Sequence, residues 1–458
     1  MEATLRALRS IVGDEHVVDD PERVASHTTD WTGGFVGSSP AVVRPGSTAE
    51  VAAVVAACRR DRVALVPQGG NTGLVGGSVP LAGELVLSTS RLVGVTDVDA
   101  DAGQLTAAAG TTVAEVQAAA AGAGWRYAVD LASRDSATVG GTVATNAGGL
   151  RVMRHGPTRA QLLGVEAVLG TGDVVSRLGG LVKDNTGYDL AGLLCGSEGT
   201  LGVVTRARLA LVPAAGEAVT SLIGLGSVAD AVVLVGHLRR AVPTLEAAEL
   251  VLREGSLLVA EQTDVAPVLD PVPPVQLVVE AVGPPDPTAA LARALDGAPG
   301  VLDVAVADDP ARAAGLWHVR EAHTESIARV GVPHKYDVTL PGGRLARFVD
   351  EVPEVVKGVD PGATVWLFGH VGDGNIHVNV TGGAPDRVAA VGDAVLGRVV
   401  ADGGSVSSEH GIGTAKRRWL ALDRSAGDLA AMRALKAALD PDGILNPNVL
   451  LPPRESSP

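Results

Sequence analysis

Cysteine is almost absent: Cys58 and Cys195 are the only two in 458 residues, and they stand far apart. That excludes a disulfide-stapled module and a CxxC metal or redox motif, so any metal must be held by His and carboxylate. Positive charge is in deficit, with 37 Lys+Arg against 52 Asp+Glu and a net charge of −15. No basic run is long enough to track a phosphate backbone, and nucleic acid is not an expected partner. No stretch approaches the ~18 uncharged apolar residues of a membrane span. The opening MEATLRALRSIVGDEHVVDD carries acids where a targeting peptide needs bases, so a soluble cytoplasmic protein is expected. Lysine is rare even among the bases: Lys183, Lys335, Lys357, Lys416 and Lys436 are the only ones. A lysine inside a motif is then a candidate for its compact charge.

Apolar residues make up 46% of the chain, enough to bury a sizeable core. At the usual domain size this length predicts about two to four compact units. Glycine is in excess, at 58 residues, nearly twice the usual ~7%. Backbone shape must therefore matter at particular places. Residues 1 to about 213 alternate Val/Leu runs with Ala-rich helical stretches. AVVRPGS (41–47) reads as strand and turn, and VALVPQGG (63–70) as a strand ending in glycines. Between them TAEVAAVVAACRRD (48–61) reads as a helix, with Thr48 at its cap and Glu50 in its first turn. Further strands are expected at 85–89, 104–110, 165–170 and 202–212. A helix near 228–241 and a Pro-rich passage over 270–287 follow, and the strand–helix rhythm then restarts. A helix around 424–439 precedes the stop signal LDPDGILNPNVLLPP. The fold class expected is α+β throughout.

PQGGNTGLVGGSVP (67–80) places five glycines just after a strand. Without a Cβ the backbone can approach a ligand and turn successive N–H groups toward a phosphate. The sequence has neither GxGxxG leading into a helix nor GxxxxGK, so the usual nucleotide fingerprints are missing. ATVGGTVATNAGGL (137–150) repeats the theme, and LLCGSEGTLGVVT (193–205) supplies a third small-residue turn into a strand. Three phosphate-sized loops in one half suggest a long ligand running across it.

These segments occur in order with KDNTGYDL, FGHVGDGNIHVNV, SSEHGIG and DPDGILNP. Together they resemble the FAD-linked 2-hydroxyacid dehydrogenases of the vanillyl-alcohol oxidase superfamily, over about residues 30–452. The resemblance implies a PCMH-type FAD-binding domain of two α+β subdomains (1–213), an α+β substrate-binding cap (214–400) and a C-terminal helical segment (401–458) returning to the FAD domain. In the first loop it implies FAD contacts at Pro67, Gln68, Gly69, Gly70, Asn71, Thr72, Gly73 and Ser78. It adds Ser136, Gly140, Gly141, Thr145 and Asn146 from the second cluster, Gly196, Glu198, Gly199 and Val204 from the third, and Asn446 near the end. Covalent-flavin relatives carry a histidine in the first loop. Here Asn71 lies in that region and no His occurs between His27 and His155, so non-covalent FAD is expected. KDNTGYDL is expected to brace the flavin domain through Asp184, Asn185 and Tyr188.

In TVWLFGHVGDGNIHVNV the GDG at 372–374 marks a turn between two alternating runs, so His370 and His377 face each other across a hairpin. Period two puts His377 and Asn379 on one face, with Val378 and Val380 on the other. With Glu409 of SSEHGIG, His370 and His377 make a two-His, one-carboxylate metal set suited to Zn²⁺ or Mn²⁺. Ligand type does not choose between the two ions. In LWHVREAHTES, Arg320 and Thr324 are i and i+4 on an expected helix and share a face. In VPHKYDVTLP, Lys335 and Asp337 are i and i+2 on an expected strand. Arg320 can grip a carboxylate with two parallel N–H bonds. In the family the Arg, Thr and Lys of this stretch contact substrate.

The expected reaction is oxidation of a D-2-hydroxyacid, with D-2-hydroxyglutarate the best fit. The metal would polarise the hydroxyl, His410 would take its proton as general base, and the hydride would pass to flavin N5. Arg320, Thr324, Asn379 and His410 would contact substrate, and Lys335 would hold a second carboxylate. D-lactate or glycolate oxidation is the runner-up. A non-catalytic flavin-holding subunit and a flavin-free metallohydrolase are the alternatives of other classes. The electron acceptor is expected to be an electron-transfer flavoprotein, a quinone or oxygen. Oligomeric state is left open by the sequence, although relatives are often dimers and a homodimer is one option.

Overall fold

The computed structural model describes residues 1–284 and 286–453. It divides into two compact units. One holds Met1–Gly149, His155–Ala214 and the chain from Glu409 onward; the other holds Leu150–Arg154 and Ala215–Ser408. The sequence reading divides the chain at 213/214 and 400/401.

The first unit contains strands β1 (Val17–Val18), β2 (Val42–Val43), β3 (Leu65–Gln68), β4 (Leu85–Ser88), β5 (Val95–Asp99), β6 (Gln104–Ala108), β7 (Trp125–Arg126), β8 (Leu162–Leu169), β9 (Val174–Ser176), β10 (Gly202–Ala210) and β11 (Val212–Pro213). β1-β2-β4-β3 form one sheet, in which β2, β4 and β3 run parallel. Leu65, Leu85 and Leu87 are wholly buried there, as expected of parallel strands covered on both faces. β5-β6-β10-β8-β9 form an antiparallel sheet, and β7 pairs with β11. The helix Thr48–Asp61 sends Val51, Val54, Val55 and Cys58 into the first sheet's core. Its cap is Ser47, not Thr48: the Ser47 hydroxyl accepts from the Glu50 N–H, while Thr48 Oγ1 donates to Glu166 at 2.6 Å. The C-terminal stretch returns to this unit, where Leu65 N–H donates to the Ile444 carbonyl and Asn446 N–H to that of Leu65.

The second unit is built on one antiparallel sheet of β12 (Ala218–Leu225), β13 (Leu245–Leu252), β14 (Val275–Val282), β15 (Val301–Ala307), β16 (His334–Thr339), β17 (Thr364–His370) and β18 (Asn375–Thr381), in the order β15-β12-β14-β13-β17-β18-β16. Helices Arg253–Thr263, Pro310–Glu321 and His323–Val330 cover one face, with Leu316 and Trp317 seated on Leu222, Ala247 and Val278. Val388 and Val391 of the helix Val388–Ala401 meet His334 and Val380 on the other face. Among the described residues no helix is long and apolar enough to cross a membrane.

Candidate active site

In the first unit the residues matched to FAD contacts lie on β3 and the loop after it, on or beside the helix Val139–Thr145, on β10 and the turn before it, and in the C-terminal return at Asn446, and the three glycine clusters behave differently. The first remains an open loop. Among the described residues, none of the backbone N–H groups from Gly69 to Ser78 donates a hydrogen bond within the protein. Its polar side chains hold the loop's shape. Gln68, 1% exposed, donates from Nε2 to the His27 and Ser78 carbonyls. Asn71, at φ 53°, donates to Thr29 O and accepts from Ser78 Oγ. Gly69 and Gly70 lie against Thr138 and Ser136 so closely that a Cβ at either would collide. An uncommitted amide run beside a rigid frame fits a diphosphate.

The second cluster is not a loop. Val139–Thr145 is a short helix capped by Thr138, and Gly140 N–H donates to the Ala109 carbonyl. A Cβ on Gly140 would meet Ala109 Cβ at 2.7 Å, so this glycine serves close helix–strand packing. The third cluster locks onto it: Gly196 N–H donates to Val143 O and Glu198 N–H to Ala144 O. The Glu198 carboxylate, buried and raised in pKa by that burial, accepts from Ile412 N–H at 2.8 Å and Gly413 N–H at 2.7 Å. Asn446 Nδ2 bonds the Gly77 and Glu198 carbonyls. Those contacts anchor the segment that carries Glu409 and His410. Glu409 Oε2 accepts the Gly149 N–H at 3.0 Å, and its Oε1 lies 3.8 Å from His410 Nε2. KDNTGYDL lies on the surface, with every residue from Leu181 to Leu190 exposed; Asp184 pairs with Arg177 and Asp189 caps the helix Leu190–Leu194.

In the second unit the hairpin forms as the GDG turn requires, with Gly374 at φ 86°. Register sets Phe368 opposite His377, with His370 two residues further along the same face. The two imidazoles meet edge-on at 5.3 Å. Lys335 pairs with Asn379, and Asn379 with Trp366; Asp337 pairs with His377, and His370 with Glu249. Paired residues share a face, so Lys335, Asn379, Asp337, His377, His370 and Glu249 form one polar row across four strands. Asp337 Oδ1 lies 3.7 Å from His377 Nδ1. Burial lowers the pKa of Lys335. Asn379 is 5% exposed, and its buried Nδ2 has no hydrogen-bond partner among the described residues.

Arg320 enters this row from the helix above. It is 9% exposed, donates from Nε to Glu249 Oε2 at 2.7 Å, and lies 4.6 Å over the Phe368 ring. Its Nη groups make no protein hydrogen bond among the described residues. They leave the end-on edge of the guanidinium for a carboxylate. The helical face shared with Thr324 is not realised: one helix ends at Glu321, the next begins at His323, and Thr324 is exposed.

The residue the sequence reading missed is Glu249. It is 1% exposed and bonds both Arg320 and His370 Nδ1, the latter at 2.5 Å. Burial alone would raise its carboxyl, but its contacts and hydrogen bonds with His370 and Arg320 prevail and hold it at about 2. The one signal in sequence was the pair of acids, Glu246 and Glu249, inside the otherwise apolar run LEAAELVL. His323 was also missed. It is fully buried against Phe368 at 4.9 Å, its pKa lowered to about 3 by burial first and by Arg320 second.

Two family descriptions match the chain: "FAD linked oxidases, C-terminal domain" over residues 215–450 and "FAD binding domain" over residues 39–177. The mitochondrial D-2-hydroxyglutarate dehydrogenase of Bos taurus is 37% identical over 98% of this chain and 84% of its own length. The D-2-hydroxyglutarate dehydrogenase of Xanthomonas citri pv. viticola is 38% identical over 94% of this chain and 93% of its own. In fold, a crystal structure of p-cresol methylhydroxylase superposes with a TM-score of 0.79 at 15% identity, covering 98% of this chain and 96% of that one. The chain belongs to the FAD-linked oxidase family, with the PCMH-type α+β fold. It is an FAD-binding oxidoreductase.

Proposed function

We propose that the protein oxidises a D-2-hydroxyacid, D-2-hydroxyglutarate foremost, to the 2-oxoacid. Relatives named D-2-hydroxyglutarate dehydrogenase match nearly the whole chain. What carries the reading is the polar row of the second unit. A guanidinium edge, a lysine and a buried amide donor without a protein partner suit an anionic substrate, and Lys335 beside Asn379 suits a second carboxylate. An orphaned buried donor costs free energy unless a ligand satisfies it.

The first loop's free amides would hold the FAD diphosphate without a covalent link. His370, His377 and Glu409 would hold a divalent ion, Zn²⁺ or Mn²⁺. Both histidines have a carboxylate on the Nδ1 side, Glu249 and Asp337, which fits imidazoles used as ligands. Bound FAD supplies a hydride acceptor at N5, and a bound divalent ion lowers the pKa of the hydroxyl. His410 takes the hydroxyl proton. Arg320 and Asn379 orient the C1 carboxylate and hydroxyl, and Lys335 fixes the distal carboxylate.

The test is anaerobic bleaching of the bound flavin by D-2-hydroxyglutarate, D-lactate, glycolate and D-malate. D-2-hydroxyglutarate should bleach fastest, and a preference for lactate over every diacid would remove the role given to Lys335. His410→Ala should keep its flavin spectrum and slow reduction by roughly 10²–10⁴-fold, the usual worth of a general base.

A further inference from the structure

Glu249 is a carboxylate with almost no access to water, placed on β13 inside the sheet between β14 and β17. Such a group is retained only where its partners compensate its desolvation. It has two, and they come from different elements. His370, at the end of β17, is its register partner and presents Nδ1 to Oε1 at 2.5 Å. Arg320, from the helix Pro310–Glu321, presents Nε to Oε2 at 2.7 Å. Each carboxylate oxygen serves one partner, so the two side chains are fixed relative to each other through a single rigid group.

We infer that Glu249 is a positioning residue that couples ion binding to substrate-carboxylate binding, by fixing the His370 ring with Nδ1 engaged and by holding Arg320 with its end-on edge presented. The inference rests on the metal and substrate reading above. A carboxylate on Nδ1 sets the imidazole tautomer so that Nε2 carries the lone pair a cation needs. An acceptor on Nε leaves the planar fork of Nη1 and Nη2, the pair that matches a carboxylate in two parallel bonds. Phe368, beneath Arg320 and 5.1 Å from His377, packs between the cationic and imidazole parts of the row.

The test uses the full-length, FAD-loaded protein with Zn²⁺ alone as probe, its affinity read by chelator competition. Glu249→Gln keeps the shape and removes the charge. It should weaken Zn²⁺ by roughly 10–100-fold, the range for an orienting partner, and raise KM for D-2-hydroxyglutarate, with the flavin spectrum unchanged. In a His370→Ala background the same change should cost no further Zn²⁺ affinity, because Glu249 acts on the ion through His370. Glu249→Asp, which keeps the charge but withdraws it by one methylene, should fall between wild type and Gln, and serves if the Gln variant does not fold. Wild-type Zn²⁺ affinity in Glu249→Gln or Glu249→Asp, or an equal further loss in the His370→Ala background, overturns the inference while leaving the metal reading intact. A wild-type protein that binds no divalent ion overturns both.

Discussion

The two units are equipped in opposite ways. The first offers a ligand its backbone: the amides of Gly69–Ser78 are uncommitted, and the polar side chains of that loop, Gln68 and Asn71, are spent on holding its shape. The second offers side chains: Arg320, Lys335, Asn379 and two histidines on a sheet face, oriented by buried acids. A backbone site is sensitive to a single added methyl and tolerant of charge changes. A side-chain site reverses that, because removing one charge leaves its partner buried and alone.

The largest effect should come from the second unit. Arg320→Ala leaves Glu249 with one partner in place of two, and breaking a buried pair costs about 3–5 kcal/mol. Urea unfolding followed by far-UV dichroism would measure it, and KM for the hydroxyacid should rise in parallel. Arg320→Lys should recover little, since an ammonium cannot bond Glu249 and present a fork at once. Full recovery by Lys would mean that charge alone matters there.

In the first unit a methyl should do what a charge does in the second. Gly70→Ala drives Cβ into the Ser136 carbonyl, a backbone atom that cannot swing aside. Overpacking of this kind costs about 1–3 kcal/mol, which should appear both in apoprotein stability and as a roughly tenfold or greater loss of FAD affinity by fluorescence titration. Gly73 has nothing within 4 Å of its Cβ position. Gly73→Ala should leave the apoprotein as stable as wild type and weaken FAD only. If both substitutions left FAD binding unchanged, the loop would not be the diphosphate site.

That asymmetry also explains what could be read in the sequence. Strand alternation and the GDG turn are local, so the shared face of His370, His377 and Asn379 was legible, although register sets Phe368 and not His370 opposite His377. Glu249 was not, because it lies 121 residues from His370 and only sheet register joins them. Glycine is ambiguous for a different reason. Gly70 and Gly140 look alike in sequence, yet one belongs to a loop with open amides and the other packs a helix on Ala109. The i, i+4 pairing of Arg320 with Thr324 failed because periodicity does not announce a helix end at Glu321.

His323 gives the smallest effect and probes whether the second unit's buried charges leave room for another. Its Nδ1 bonds the Val319 carbonyl, and its buried Nε2 has no partner among the described residues. Burial, then Arg320, lowers its pKa from 6.5 to about 3. The unfolded chain therefore binds a proton on this ring below pH 6.5 while the folded chain does not, so stability falls as pH drops from about 6.5 toward 3. His323→Leu removes that proton uptake along with an unsatisfied acceptor. At pH 7.5 its urea midpoint should lie close to wild type. At pH 5 it should exceed wild type by the equivalent of about 1–2 kcal/mol. An equal offset at both pH values would show that the ring takes up its proton inside the fold, and that the second unit tolerates a further cation beside Arg320.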